Sequence, residues 1–63
     1  MRAHWLKDLL LSDDYVLRDD SLHHLVNVIR IEVAEELLLL NGQGLEVKTT
    51  VMAISKRELR LKF

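Results

Sequence analysis

Leu22, Leu25, Val26 and Ile29 fall at i, i+3, i+4 and i+7, which predicts one apolar face of a helix over residues 21–29. The DDS triplet at residues 19–21 offers side-chain oxygens to cap the first turn, and its acids suit the positive end of the helix dipole. Downstream the period changes to two. The leucine run at residues 37–40 is short and turn-bounded, as in a strand buried on both faces or at a barrel closure. NGQG at residues 41–44 holds both glycines and predicts a hairpin loop, because Gly and Asn tolerate positive φ. Beyond it Leu45, Val47, Thr49 and Val51 alternate with Glu46, Lys48 and Thr50. The phase slips near residues 52–54, where a bulge or bend is expected. SKRE at residues 55–58 is a polar turn, and Leu59, Leu61 and Phe63 share one face of a last strand.

The N-terminal stretch admits two readings. Trp5, Leu6, Leu9 and Leu10 fit a short helix, and residues 3–6 fit a strand followed by a loop. SDD at residues 12–14 is a turn, and Tyr15, Val16 and Leu17 are β-prone. The sum is mainly β with one helix. One or two short strands precede the helix and a three-stranded antiparallel meander follows it. This pattern predicts a small barrel or strongly curled sheet with the helix plugging one end.

Sixty-three residues form a single domain, 1–63, with a small core. Cysteine is absent, which removes disulfides and thiolate zinc sites and suggests either a reducing, cytoplasmic setting or a piece of a larger protein. The longest apolar runs, at residues 9–11 and 37–40, fall far short of the ~20 residues that cross a membrane. The net charge of −1 argues against a nucleic-acid binder, but its distribution is uneven. Residues 1–44 carry four basic and eight acidic side chains, whereas residues 45–63 carry five basic and two acidic. A local basic face attracts phosphate even on a near-neutral domain, and a solvated strand surface would have the same composition.

His23 and His24 are helix neighbours and diverge, so they do not make a metal site. Ser21 and His24 share a helix face near Asp19 and Asp20. A catalytic triad needs separate elements around a pocket, so capping explains these residues better. His23, Asn27 and Arg30, at i, i+4 and i+7, form a line off the apolar stripe. Such a line is either ordinary solvated surface or a nucleic-acid contact, with Arg on phosphate, Asn on a base edge and His stacking or donating. Trp5 reads as packing rather than a base-stacking platform.

The ordered set Met1-Arg2, His23-His24-Leu25, Val28-Ile29-Arg30, Asn41-Gly42-Gln43-Gly44 and Ser55-Lys56-Arg57 resembles the N-terminal domain of the ribosomal RNA small subunit methyltransferase E family. The resemblance covers essentially the whole chain. It implies a PUA-like antiparallel β-barrel that binds small-subunit ribosomal RNA and catalyses nothing itself. It also implies an absent C-terminal knotted domain that binds S-adenosylmethionine, methylates a uridine ring nitrogen and forms a homodimer. The isolated domain would then be a monomer without a cofactor. Arg2, His23, His24, Asn27, Arg30, Lys56 and Arg57 are the expected RNA contacts. Arg30 is the leading one, and His24 alternatively hydrogen-bonds within the barrel. Two positions depart from the family pattern. Ala34-Glu35-Glu36 replaces a Gly-Asp turn, so a turn of another type is expected, and His4 replaces a base. The competing expectation is a protein-interaction module with the leucine runs at residues 9–11 and 37–40 as its sticky surfaces.

Overall fold

The computed structural model describes residues 2–63; Met1 of the opening pair lies outside them. The chain runs β1 (Arg2–Trp5), β2 (Asp14–Leu17), α1 (Asp19–His23), a π-helical continuation (His24–Ile29), β3 (Glu36–Leu40), β4 (Glu46–Ile54) and β5 (Leu59–Lys62). The fold is mainly β with one helical segment, as the pattern predicts, and the strands form one sheet in the order β1-β3-β4-β5-β2. The expected meander is present: β3 pairs antiparallel with β4, and β4 with β5. The pairing slips between Val51 and Ala53, which is the bulge that the phase change anticipated. The expected antiparallel barrel needs correcting in two respects. β1 runs parallel to β3, and β1 and β2 are the two edges of a sheet left open among the described residues. Pairing in parallel requires a long crossover, and the helical segment supplies it. From β2 at one edge it passes β5 and β4 to reach β3.

At the N-terminus the strand reading holds. Trp5 pairs with Leu40, and the Leu6 N–H donates to the Leu40 carbonyl at 2.8 Å. Leu9 then turns inward into the core, which leaves Leu10 and Leu11 exposed. The leucine strand is buried on one face only: Leu37 and Leu39 are fully enclosed, and Leu38 and Leu40 are half-buried. It is therefore part of the core and not a sticky surface. Opposite it, Val47, Thr49 and Val51 line the same interior. Thr49 is the one buried polar residue among those described, and its hydroxyl donates to the Leu37 carbonyl at 2.7 Å. That bond removes most of the cost of burying a hydroxyl among leucines and valines.

The helix starts at Asp19, two residues before the expected Ser21, and is built differently. Arg18 occupies the N-cap position with no side-chain cap bond, so the triplet DDS does not cap the first turn. Ser21 Oγ is instead hydrogen-bonded to His4 Nε2 on β1 at 3.1 Å. Asp19 and Asp20 still place negative charge in the first turn. From His24 onward the helix widens to i→i+5 hydrogen bonding, a rare form that recurs at functional sites. Leu22 and Leu25 are buried, Val26 and Ile29 pack partly against the core, and Val28 faces solvent. The segment ends at Arg30 in the left-handed region (φ 60°, ψ 46°). The Arg30 and Ile31 N–H groups both donate to the Leu25 carbonyl, the latter at 2.9 Å.

Ala34 has φ +75°, so the turn keeps the positive-φ geometry that glycine favours. The expectation of another turn type is thereby corrected. The geometry is held from outside: the Ala34 N–H donates to the Val51 carbonyl, and the Val51 N–H to the Glu35 carbonyl, each at 2.8 Å. Replacing Ala34 with Gly removes the steric cost without touching these bonds. The expected result is a gain of about 1 kcal/mol, or roughly 4–8 °C in Tm, by thermal circular dichroism.

Candidate nucleic-acid interface

Ser55 organises the turn between β4 and β5. Its hydroxyl accepts from the Arg57 and Glu58 N–H groups at 3.3 and 3.1 Å, and the Ser55 N–H donates to the Glu58 carbonyl at 2.9 Å. With three of its backbone N–H groups bonded internally, the turn presents Lys56 and Arg57 to solvent. The turn faces the start of the helix across a groove of about 850 Å³, lined by Arg18, Asp19, Leu22 and His23 on one side and residues 55–58 on the other. A neighbouring recess of about 470 Å³ shares Leu22, His23, Ser55 and Lys56 and adds Val26, Asn27 and Ile54.

Four of the expected contacts therefore converge: His23, Asn27, Lys56 and Arg57. Across one turn of helix, Asn27 Nδ2 donates to His23 Nδ1 at 3.0 Å. That bond leaves the proton of neutral His23 on Nε2. Three expected contacts lie elsewhere. His24 turns toward β1, where its ring lies 5.8 Å from that of His4. Arg2 is engaged within the fold: Nη1 donates to the Ile29 carbonyl at 2.7 Å, and Nε pairs with Glu35 at 3.3 Å. Arg30 is exposed but lines neither cavity, because the helix has widened and its backbone has turned left-handed. The line His23, Asn27, Arg30 drawn from α-helical spacing is broken at its last member.

Charge in the groove is sorted by ion pairing. Glu58 binds Arg18 at 3.1 Å and Arg60 at 3.0 Å. Its hydrogen bonds from Arg60 and then Arg18 hold the carboxyl below its usual range. Arg18 and Arg60 thus share one carboxylate, whereas Lys56 and Arg57 have no ion-pair partner among the described residues. Sequence reasoning missed Arg18 and the apolar floor of Leu22, Val26 and Ile54. Arg18 directly precedes the helix start, but its partner Glu58 lies forty residues away in sequence, and no spacing rule connects them. No group of three or more His, Cys, Asp or Glu among the described residues is arranged to hold a metal ion.

Behind the groove His4, Ser21 and His24 tie β1 to the helix. Partial burial lowers the His4 pKa from its ordinary value of 6.5, and the neighbouring His24 charge lowers it further. A histidine with a depressed folded pKa stabilises the fold above the unfolded value and loses that contribution as pH falls through the folded one. Stability is therefore expected to drop as pH is lowered below about 6.5. His4→Gln retains a hydrogen-bonding side chain and flattens this dependence, as read from urea midpoints between pH 7 and 5. The depressed Glu58 acts in a separate, more acidic window.

Comparison with known proteins follows the same lines. No curated protein matches the chain. A ribosomal RNA small subunit methyltransferase E from Neisseria gonorrhoeae, solved bound to S-adenosylmethionine, superposes with a TM-score of 0.82 at 24% identity, over 98% of this chain and 26% of that one. A putative methyltransferase from Legionella pneumophila, solved in complex with S-adenosylmethionine, gives 0.81 at 20% identity, over 95% of this chain and 25% of that one. The chain thus spans about a quarter of the length of these solved proteins and shares the fold of that part. The family described as the RNA methyltransferase PUA domain matches residues 17–63, a segment holding the whole groove and well over half of the sequence, and the chain belongs to that family.

Proposed function

We propose that this domain docks an S-adenosylmethionine-dependent methyltransferase onto small-subunit ribosomal RNA. The observation that carries the reading is the pair of unpaired cations, Lys56 and Arg57, facing His23 across one groove, with Asn27 in the recess that adjoins it at Lys56. Lys56 and Arg57 contact phosphate, while His23 and Asn27 meet sugar or base. Arg30 adds a flanking phosphate contact; Arg2 and His24 act indirectly, by holding β1 against the helical segment. On this reading, methyl transfer and cofactor binding belong to a catalytic domain beyond these 63 residues.

The test is an amide-shift NMR titration of the chain with a small-subunit ribosomal RNA stem-loop at low and moderate salt. Salt-sensitive shifts at His23, Asn27, Lys56 and Arg57 are expected. A folded chain whose spectrum does not move would overturn the reading. Arg30 has its own check, because a non-glycine residue at a left-handed helix end costs about 1 kcal/mol. Arg30→Gly should therefore raise stability by that amount and weaken RNA binding severalfold, which separates its contact from any folding role.

A second reading rests on the exposure of Leu10 (76%), Leu11 (71%) and Phe63 (64%). These side chains suit burial against a protein partner, including the chain's own catalytic domain. Self-association that rises with concentration and is indifferent to RNA would favour this reading.

A further inference from the structure

The groove changes character along its length. One part carries Arg18, Asp19, Lys56, Arg57 and Glu58, and the adjoining recess is lined by Leu22, Val26 and Ile54 together with His23, Asn27, Ser55 and Lys56. We propose that the recess receives the base of one unpaired nucleotide while Lys56 and Arg57 hold the adjoining phosphate. The proposal rests on the RNA-docking reading and adds the class of RNA to it.

Duplex RNA offers a protein its phosphates and, in the shallow minor groove, 2′-hydroxyls and base edges, but its bases stay stacked with their faces covered. A duplex would satisfy Lys56 and Arg57 and leave the apolar floor in water. An unpaired nucleotide satisfies both, because its base can swing out and cover the floor. The recess, about 470 Å³, falls within the range of small-ligand sites. Its rim also carries hydrogen-bonding groups suited to a base edge. Asn27 spends one amide hydrogen on His23 Nδ1 and keeps its carbonyl oxygen and second hydrogen free to pair with a base. The same bond leaves the His23 Nε2 proton available, and the imidazole plane offers a stacking surface.

The test compares two RNA probes on this chain: an oligouridylate, which does not self-pair, and a fully paired duplex. Methyl and amide NMR shifts are read for each. The expected result is movement of the Val26 and Ile54 methyls with oligouridylate alone, and of the Lys56 and Arg57 amides with both. Asn27→Ala, at an exposed position, should weaken oligouridylate binding about tenfold and duplex binding by much less. If both RNAs move the basic turn alike and the Val26 and Ile54 methyls stay still, the nucleotide recess is overturned and the docking face survives. If neither RNA moves any signal, both fall together.

Discussion

Lys56→Ala combined with Arg57→Ala is expected to weaken binding of single-stranded ribosomal RNA by roughly 25-fold at 0.1 M salt. Each phosphate neutralised on a single strand contributes about 0.7 to the slope of log affinity against log salt. Relative to 1 M salt, that is roughly fivefold per contact at 0.1 M. Two lost contacts should also flatten the slope by about 1.4. Fluorescence anisotropy across a salt series reads both quantities. Folding should hardly change: both side chains are exposed and unpaired, and such surface substitutions usually stay within about 0.5 kcal/mol. The same exchange at Arg18 is not equivalent, because Arg18 is already bound to Glu58. A double variant that binds as well as the parent, with an unchanged slope, would remove the basic turn from the interface.

What could be read from the chain in advance was mostly local. The meander, the glycine hairpin and the bulge at Met52 follow from a period of two, two glycines and one slip of phase. The hairpin even shows its mechanism, since Asn41 Oδ1 accepts from the Gln43 and Leu45 N–H groups at 2.7 and 3.1 Å. The rest depends on partners distant in sequence. Nothing in RAHW specifies a parallel neighbour, and the pairing of β1 with β3 exists because a helical crossover lies between them. Ser21 looked like a cap until His4, seventeen residues earlier, claimed its hydroxyl. Apolar spacing of three and four suits an α-helix and a widened one alike, so the π-helical form of His24–Ile29 was not legible. The site divides in the same way. His23 and Asn27 were placed by helical spacing, and Lys56 and Arg57 by the polar turn. Their meeting across one groove, and the removal of Arg2 and His24 from it, are consequences of tertiary packing.

Leu25→Ala is expected to destabilise the domain by about 3 kcal/mol, several times the effect of any surface substitution. Leu25 is fully buried, and it lies in the segment that carries the chain from edge strand β2 across to β3. Truncation loses the transfer energy of its methyl groups and leaves a cavity that the rigid strands around it cannot close. A domain of this length typically has about 3–9 kcal/mol in total, so the loss is a large share of it. Tm should fall by roughly 12–24 °C, and a sample at physiological temperature should be substantially unfolded if the parent lies at the low end. Val28→Ala is the control: it lies three residues along the same segment but is 67% exposed, and should cost no more than about 0.5 kcal/mol. Equal losses at the two positions would mean that the segment is not docked through Leu25. The comparison also bears on function, because His23 and Asn27 are aimed at the basic turn only while this segment is seated. Below its lowered Tm, Leu25→Ala should bind RNA nearly as the parent does, and binding should vanish with the thermal transition. Loss of binding while the fold is still intact would instead show that small shifts of the helix suffice to disassemble the groove.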